Sequence, residues 1–343
     1  MKKKRVIVNK KVYIIAEIGQ AHEGSLGILH SYIDALANIG IDAIKFQTHI
    51  AEAESSNFEP FRVKFSYEDD TRYDYWKRME FTLEQWKEIK NHCDDVGLEF
   101  LSSPFSNMSV DWLEEIGVEK YKIGSGEVTN FLMLEKIAKT GKEIILSSGM
   151  SSFSELDETM KFLKPFGNKI TILQCTTKYP TEAQDIGLNV INELKQRYNV
   201  RVGLSDHSGT IYPSFSAVSL GAEVLEFHAV FDKSMFGPDS RSSLTINEIR
   251  QLVQGVRFME ISLNTNIDKN DNSKFQELKN IFEKSLAVNK NMQKGDILTF
   301  DDLEAKKPFG YGVSAKEYQS ILGKRLNRSL KKWDFIQKED IDG

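Results

Sequence analysis

Short apolar runs recur along the first part of the chain, and polar or glycine-rich residues bound each run. Eight such runs are present: VYIIAEIG (12–19), AIKFQT (43–48), EFLSSP (99–104), KYKIGS (120–125), EIILSS (143–148), ITILQC (170–175), RVGLSD (201–206) and VLEFHAV (224–230). Their length and their boundaries predict buried β-strands.

Segments with the hydrophobic spacing of amphipathic helices separate most of these runs, for example LGILHSYIDALANIG and TLEQWKEIKNHCDDVG. Gly40, Gly97, Gly117 and Gly141 each stand where such a helix would end before the next strand. Strands that alternate with helices place the chain in the α/β class, and eight of them predict a (β/α)8 TIM barrel. Two halves of a doubly wound sheet are the alternative.

The last part of the chain has a different pattern. Residues 264–284 are polar and open with an Asn- and Asp-rich stretch, which predicts a linker with a helical second half. Residues 285–343 contain short runs around Lys-Gly and Trp-Asp turns, which predict a compact, strand-rich domain. We therefore expect a barrel domain over 1–263, a linker over 264–284 and a small β-rich domain over 285–343.

Composition is that of an ordinary globular protein: of 343 residues, 40% are hydrophobic and 28% are charged. No apolar run approaches the roughly 18 residues of a membrane span. The basic N-terminus, MKKKRVIVNKK, has too short an apolar part for a signal peptide, so we expect a cytoplasmic protein. Two cysteines, Cys93 and Cys175, suit a reducing compartment. The net charge of −5 disfavours a nucleic-acid partner.

Polar side chains stand at the carboxyl ends of all eight runs. In a TIM barrel these ends share one face, where the active site lies, so the side chains should converge on one cavity. They are Glu17; Lys45 and Gln47; Ser102 and Ser103; Lys122, Ser125 and Glu127; Ser147 and Ser148; Thr176, Thr177 and Tyr179; Ser205, Asp206 and His207; and His228. A single serine at a strand end is common, but the whole set predicts an active site.

Two histidines end neighbouring strands of the predicted barrel. His207 and His228 are therefore placed to bind one divalent metal ion, with Glu17 or water as a further ligand. Histidines that only form hydrogen bonds are the alternative.

Two lysines point into the same predicted cavity. Lys45 and Lys122, with nearby serines and glycine-flanked amides, predict a site for an anion such as a phosphorylated carboxylate. Buried lysines need a negative partner, and pairing with Glu17 and Glu127 is the alternative. After strand 8, a turn at Gly237-Pro238 would present Asp239 over the cavity, whereas the spacing alone favours a plain loop turn.

Nine segments, in order along the chain, resemble the motifs of the sialic acid synthase family. They are AEIGQAHEGSL, AIKFQT, FLSSPF, KIGSGE, LSSGM, QCTTKYPT, GLSDHS, FHAVF and GPD. This family includes N-acetylneuraminate synthase and its relatives for legionaminic and pseudaminic acids. The resemblance covers essentially the whole chain, and it implies that the C-terminal module is the family's antifreeze-like (SAF) domain.

The resemblance implies condensation of phosphoenolpyruvate with an open-chain N-acylated hexosamine, either N-acetylmannosamine or a diacetamido-trideoxyhexose, which yields a nonulosonic acid and phosphate. Two histidines of such enzymes hold a divalent ion, and here they are His207 and His228. Manganese is favoured, with magnesium or cobalt as alternatives. The ion would polarise the sugar aldehyde for attack by C3 of phosphoenolpyruvate.

The resemblance also implies roles for further residues. Those of the phosphoenolpyruvate site are Lys45, Ser103, Lys122, Ser125, Ser147, Thr177 and Ser205. Those of the sugar site are Gln47, Glu127, Tyr179, Asp239 and Lys307. The expected catalytic residues are Glu17, Glu127 and His228, and Glu17 would handle the proton of the water or hydroxyl group.

The chain departs from the family pattern at three places. Thr177 stands where sialic acid members often have Asn, near the expected phosphate. Lys307 precedes Pro308 where the family usually has Arg-Pro, so the charge stays but the bidentate fork is lost.

The third departure is the connection between strands 2 and 3, over residues 51–80. It carries Arg62, Lys64, Arg72 and Trp76, where no family motif is recognisable. Loops at this face of a barrel often set specificity, while a solvated charged helix is the alternative for its acidic part.

The family's small domain caps the barrel of a partner subunit, so the resemblance implies a domain-swapped homodimer; docking on its own barrel stays open from the sequence. Two other functions compete with the synthase. A different metal-dependent barrel enzyme, such as a class II aldolase, would not release phosphate. An ice- or sugar-binding protein is disfavoured because Thr299 is the single threonine of residues 285–343, and ice binding requires a threonine-rich face.

Overall fold

The structure is a computed structural model, and it describes residues 11–63 and 67–342. Lys64 and residues 1–10, on which the prediction of a cytoplasmic protein chiefly rests, lie outside the described residues. The chain divides into two compact units, Met1–Thr265 and Asn266–Gly343. Among the described helices, none combines the length and the apolar character that a membrane span needs.

The first unit is the parallel barrel that the eight runs predict. Its strands are β1 (Tyr13–Glu17), β2 (Ala43–Thr48), β3 (Glu99–Pro104), β4 (Lys120–Ile123), β5 (Glu143–Ser147), β6 (Ile170–Cys175), β7 (Arg201–Asp206) and β8 (Val224–Val230). They follow the spatial order β3-β2-β1-β8-β7-β6-β5-β4. The two ends of this order, β3 and β4, are consecutive in the chain, so the barrel is nearly closed. The prediction of a TIM barrel is confirmed, and the doubly wound sheet is excluded.

Helices surround the barrel: α1 (Leu26–Ala37), α2 (Ala51–Glu54), α3 (Arg72–Met79), α4 (Leu83–Asp95), α5 (Asn107–Ile116), α6 (Phe131–Ala138), α7 (Phe153–Leu163), α8 (Val190–Tyr198), α9 (Tyr212–Ser219) and α10 (Ile246–Asn264). Side-chain caps begin several of them, as at Thr82 and Ser152, where a hydroxyl accepts from a backbone N–H of the first turn. Gly117 ends α5 in the left-handed conformation, with φ of 81°.

The two-residue alternation of the strands builds the barrel interior in layers. Apolar side chains form the floor, among them Ile15, Leu101, Ile145 and Leu173. The residue two positions further along each strand faces the same way. The residues above this floor are Glu17, Ser103, Ser147 and Cys175, so polar groups are carried to the carboxyl face on a packed base.

The register brings three charged or ionisable side chains together. Glu17 on β1 lies opposite Lys45 on β2 and opposite His228 on β8. Strand pairing alone therefore sets a carboxylate between an ammonium group and an imidazole.

The connection between β2 and β3 is an ordered part of the first unit wherever it is described. Its apolar side chains form a small cluster of their own with Ala51, Tyr75, Trp76 and Met79 at its centre. Arg78 fastens the connection to the barrel, because its guanidinium bonds Glu23 of the β1–α1 loop at 2.9 Å. This segment therefore has a defined face toward the carboxyl end of the barrel.

The second unit has a separate hydrophobic core, with Leu286, Met292, Leu298, Leu326 and Ile336 among its members. Its regular elements are α11 (Gln276–Phe282) and the antiparallel pair β9 (Ser285–Val288) and β10 (Leu303–Lys306). The helix falls in the second half of the segment that the sequence predicts to be a linker.

Candidate active site

One cavity of about 250 Å³ opens at the carboxyl face of the barrel. Thirteen of the predicted site residues line it: Glu17, Lys45, Gln47, Ser103, Lys122, Ser125, Ser147, Thr177, Tyr179, Ser205, His207, His228 and Asp239. The convergence that the strand ends predict is therefore present in the structure.

Two buried ion pairs lie at the base of the cavity. Lys45 Nζ is 2.6 Å from Glu17 Oε1, and Lys122 Nζ is 3.1 Å from Glu226 Oε1. All four side chains are at most 4% exposed. Internal pairing of the lysines, the alternative left open by the sequence, is thus real, but Lys122 pairs with Glu226 and not with Glu127.

The charges of these pairs govern their ionisation. Burial alone would raise the pKa of Glu17, but the charges of Lys45, His228 and Lys122 outweigh it and hold that pKa well below its ordinary range. Burial works to lower the pKa of Lys122, and the carboxylates of Glu226 and Glu17 overcome it, so the pKa is raised. Glu17 and Lys122 therefore carry their charges at neutral pH.

Several hydroxyls in the cavity have capacity for a ligand. Among the described residues, Ser147 Oγ and Thr177 Oγ1 are buried without any hydrogen-bond partner. Ser125 Oγ accepts from the backbone N–H of Gly149 at 3.1 Å. A Cβ at position 149 would come within 2.4 Å of Thr177 Oγ1, so only glycine lets the backbone approach. Because unpartnered buried hydroxyls cost free energy, these two indicate a polar ligand.

The two predicted metal ligands lie side by side, with ring centroids 5.3 Å apart. His207 Nδ1 is 3.0 Å from the carbonyl oxygen of Thr176, so Nδ1 carries the proton and Nε2 presents its lone pair. His228 Nε2 lies 3.4 Å from Glu17 Oε2. Within the described part of the chain, no three ligating side chains are already clustered as a metal site. Two neighbouring imidazoles do fit a divalent ion whose other ligands are substrate or water oxygens.

Three residues close the side of the cavity next to His207. The Tyr179 hydroxyl is 3.0 Å from His207 Nε2, and its ring stacks on that imidazole. The guanidinium of Arg62 lies 4.3 Å from the centre of the Tyr179 ring. Its Nη2 also bonds Asp239 Oδ1 at 2.8 Å. Arg62, in the divergent connection, therefore links two residues of the predicted sugar site.

Six predicted residues are not among those that line the cavity: the strand-end residues Ser102, Ser148, Thr176 and Asp206, and the predicted sugar contacts Glu127 and Lys307. Glu127 lies in a short 3₁₀ turn, where its carboxylate accepts from the Asn130 amide at 2.7 Å. Burial raises the pKa of Glu127. Lys307 belongs to the second unit, where its ammonium lies 4.7 Å from the centre of the Phe282 ring.

The cavity also contains residues outside the predicted site set. Arg62, Arg72 and Trp76 come from the divergent connection that the sequence singled out. The others are Gln20, His49, Phe105, Gly124, Gly126, Met150, Cys175, Glu226 and Pro238. The sequence pattern could have predicted Glu226, because it stands two residues before His228 on β8 and so faces inward with it. The position of His49, one residue after β2, depends on the path of the following connection. No periodic pattern in the sequence predicts that path.

Comparisons with known proteins extend this description. The model of the NeuB family matches residues 32–268, and that of the SAF domain matches residues 283–342. The N,N'-diacetyllegionaminic acid synthase of Campylobacter jejuni is 36% identical over 335 residues, which cover 96% of this chain and 100% of that protein. The N-acetylneuraminate-9-phosphate synthase of Homo sapiens is 32% identical over 344 residues, which cover 96% and 92%.

A solved structure is similar as well. The N-acetylneuraminic acid (sialic acid) synthetase from Leptospira borgpetersenii, in complex with citrate, superposes with a TM-score of 0.70 at 31% identity. The match covers 79% of this chain and 91% of that one.

The fold and the cavity together define a TIM-barrel enzyme with a site for an anionic substrate. The family matches narrow this class. The chain belongs to the NeuB family and is a phosphoenolpyruvate-condensing synthase, a transferase that forms a carbon–carbon bond. The resemblance found in the sequence, including the SAF domain, is confirmed.

Proposed function

We propose that this protein condenses phosphoenolpyruvate with the open-chain form of an N-acylated hexosamine and releases a nonulosonic acid and phosphate. The names of its relatives, a legionaminic acid synthase and an N-acetylneuraminate-9-phosphate synthase, support this product class. The observation that carries the proposal is the pair of unpartnered hydroxyls of Ser147 and Thr177, in the same cavity as two lysines and two imidazoles.

Phosphoenolpyruvate would bind on the side of the two lysines. Lys45 and Lys122 would turn part of their hydrogen bonding from Glu17 and Glu226 to the substrate's anionic groups. Hydroxyls would complete its polar contacts, and those in the cavity belong to Ser103, Ser125, Ser147, Thr177 and Ser205.

His207 and His228 would hold a divalent ion, in the first place manganese, with magnesium or cobalt as alternatives. Their paired imidazoles and the lone pair that Thr176 leaves on His207 Nε2 support this assignment. The bound ion would supply electrophilic polarisation of an acceptor oxygen. The protein's own contribution is to hold both rings in place, through Thr176 for His207 and Glu17 for His228.

The bonds and protons of the reaction balance with one water molecule. A bond forms between C3 of phosphoenolpyruvate and the aldehyde carbon, water adds at C2, and the bond between C2 and the phosphate oxygen breaks. One proton of the water ends on the new sugar hydroxyl and the other on the departing phosphate. No oxidant or reductant takes part.

Glu17 is the residue we propose for moving the water-derived proton. In the empty site Lys45 and His228 hold its pKa down, which makes it a weak base. When Lys45 shares its hydrogen bonds with the substrate's anion, that constraint weakens and Glu17 becomes a stronger base. Substrate binding would thus prepare the base for its step.

The acceptor sugar would lie on the opposite side of the cavity. Gln47, Tyr179 and Asp239 line this side, and Glu127 and Lys307 are further predicted contacts. Gln47 is already oriented, because its Nε2 donates to Glu17 Oε1 at 2.6 Å. The polar character of this wall suits a polyhydroxylated chain with amide groups.

The test measures phosphate release from phosphoenolpyruvate with manganese and a panel of acceptors. The panel contains N-acetylmannosamine, its 6-phosphate and 2,4-diacetamido-2,4,6-trideoxymannose. We expect release with one acceptor, loss of that release after EDTA treatment, and its return with manganese. Release that needs no acceptor, or phosphate retained in the product as in an aldolase, would contradict the proposal.

The domain-swapped homodimer and the cytoplasmic location stay predictions. Light scattering on the purified full chain measures the first directly. A mass of one chain at micromolar concentration would argue against the dimer.

A further inference from the structure

A buried imidazole lies beside the acceptor wall and has no role in the reaction described above. His49, one residue after β2, is 2% exposed and lines the cavity. Its ring is held between two aromatic rings, with centroid distances of 3.9 Å to Trp76 and 4.6 Å to Phe105. Both neighbours are nearly parallel to it, at 22° and 12°. The ring therefore has little freedom to tilt or slide.

Glu54, at the end of α2, fixes the rotation of this ring. Its Oε1 lies 2.6 Å from His49 Nδ1, and its side chain is only 6% exposed. A carboxylate can only accept here, so Nδ1 carries a proton and the opposite nitrogen is turned to the cavity. Glu54 is held in turn by the backbone N–H of Ile50, at 3.4 Å from its Oε2.

The cavity-side nitrogen of His49 meets two side-chain amides. His49 Nε2 lies 3.1 Å from Gln47 Oε1, an oxygen that can only accept, so the ring donates to it from Nε2 as it donates to Glu54 from Nδ1. Gln20 Nε2 lies 3.3 Å from the same ring nitrogen. Gln20 also donates to Gln47 Oε1. The other end of the Gln47 amide donates to Glu17 at 2.6 Å. The oxygen and the nitrogen of Gln47 are therefore each oriented by a separate partner.

From this geometry we propose that His49, fixed by Glu54, is a positioning residue that sets the orientation of the Gln47 amide for the acceptor sugar. The proposal rests on the proposed function for the identity of that ligand. His49 acts through Gln47. Its loss should weaken use of the acceptor and leave phosphoenolpyruvate binding nearly unchanged, because His49 bonds Gln47 and Glu54 and neither lysine.

Three variants of His49 separate hydrogen bonding from packing. His49→Phe keeps an aromatic ring between Trp76 and Phe105 and removes both hydrogen bonds. His49→Gln can bring its amide near the former Nε2 position, toward Gln47, whereas His49→Asn reaches only the former Nδ1 position, toward Glu54. A matched control is His22→Phe. His22 is also 2% exposed and bonds the Gly24 backbone N–H, but it does not line the cavity.

We expect His49→Phe and His49→Asn to raise the KM for the acceptor about tenfold, the size of one lost hydrogen bond to a well-placed group. The KM for phosphoenolpyruvate should stay within about twofold, and His49→Gln should recover most of the loss. His22→Phe should change neither KM. Equal behaviour of His49→Gln and His49→Asn, or a parallel rise in both KM values, would show a packing role and overturn the proposal.

A crystal structure of His49→Phe gives a readout that does not depend on activity. We expect the Gln47 amide to turn away from its present orientation or to occupy two conformers. An unchanged Gln47 amide would refute the positioning role even if the protein proved to use a different acceptor. Conversely, a wild-type enzyme that releases no phosphate with any acceptor would refute the proposed function alone.

Discussion

The hydroxyl of Tyr179 lies 3.0 Å from Nε2 of His207, on the nitrogen that would bind a metal ion. The other ring nitrogen, Nδ1, donates its hydrogen bond to the carbonyl oxygen of Thr176. The tyrosine hydroxyl therefore donates to the Nε2 lone pair that the ion would use. Tyr179 and a divalent ion therefore compete for one electron pair in the empty site.

This competition predicts that Tyr179→Phe tightens metal binding. Loss of one hydrogen bond, worth about 1 kcal/mol net, should lower the dissociation constant for manganese about fivefold. Isothermal titration calorimetry in the absence of substrates measures it. His207→Ala and His228→Ala are the counterparts, and each should weaken binding at least a hundredfold. Equal affinity in Tyr179→Phe and wild type would mean that the ion does not use His207 Nε2.

The unpartnered hydroxyl of Ser147 predicts that Ser147→Ala weakens phosphoenolpyruvate binding without changing the stability of the protein. Ser147→Ala removes no hydrogen bond of the empty protein among the described residues, so the free energy of unfolding should change little. The KM for phosphoenolpyruvate should rise about tenfold, since hydrogen bonds to charged groups are worth about 1.5–3 kcal/mol. Steady-state kinetics and chemical denaturation check the two parts.

The matched control for this prediction is Ser102→Ala, near the carboxyl end of β3. Ser102 Oγ is fully buried and bonds Thr48 Oγ1 at 2.7 Å, outside the cavity. This variant should lose about 1 kcal/mol of stability and leave the KM for phosphoenolpyruvate unchanged. If both variants behave alike, the unpartnered state of Ser147 has no functional meaning.

The ion pair of Lys122 and Glu226 predicts that substrate can rescue a destabilised variant. Glu226→Gln leaves a buried ammonium without its counterion, which should cost about 3–5 kcal/mol of unfolding free energy. An anionic ligand at Lys122 replaces the missing charge. Thermal denaturation should therefore show a larger upward shift with phosphoenolpyruvate for Glu226→Gln than for wild type, and equal shifts would place the anion elsewhere.

The buried carboxyl of Asp206 predicts that Asp206→Asn stabilises the protein in a pH-dependent way. Burial raises the pKa of Asp206 to about 6, above its ordinary 3.8, despite hydrogen bonds from Ser208. The folded state thus binds the proton more tightly than the unfolded state, so this group lowers stability as the pH rises from about 4 to 6, and the penalty stays complete above that window. Asp206→Asn should stabilise the metal-free protein at pH 7.5 by up to about 3 kcal/mol.

The same substitution should have only a small stabilising effect at pH 4, because the wild-type carboxyl is still protonated in the folded state and only about half ionised in the unfolded state. Urea denaturation at both pH values, with EDTA present, makes the comparison. A gain of equal size at pH 4 and pH 7.5 would assign the effect to the shape or hydrogen bonding of Asn and not to the charge.

The barrel could be predicted because each of its strands is buried on both faces and therefore forms a nearly continuous apolar run. The residues at the strand ends were predictable for the same reason: the chain direction places them all at one face. Glu226 was missed although the pattern contained it, because it lies inside β8 and not at its end. Inward alternation, counted back from His228, would have found it.

The rest of the cavity depends on contacts between segments distant in sequence. His49 lies at its wall because Trp76, from α3, folds back over it. Arg62 reaches Asp239, a residue from the β8 side of the barrel. No local pattern encodes the path of the connection that carries these residues. Glu127 is the opposite case, a residue that the strand-end pattern places in the cavity but that does not line it. A short 3₁₀ turn directs its carboxylate to Asn130 instead.

The paired lysines also bear on how a turnover ends. Tight anion sites made only of cations retain phosphate, and an enzyme built that way is slowed by its own product. Here Glu17 Oε1 lies 2.6 Å from Lys45 Nζ, and Glu226 Oε1 lies 3.1 Å from Lys122 Nζ. Under the proposed function, the two carboxylates would compete with the product for the lysines and would pair with them again as the phosphate leaves, which would restore the charge balance of the empty cavity.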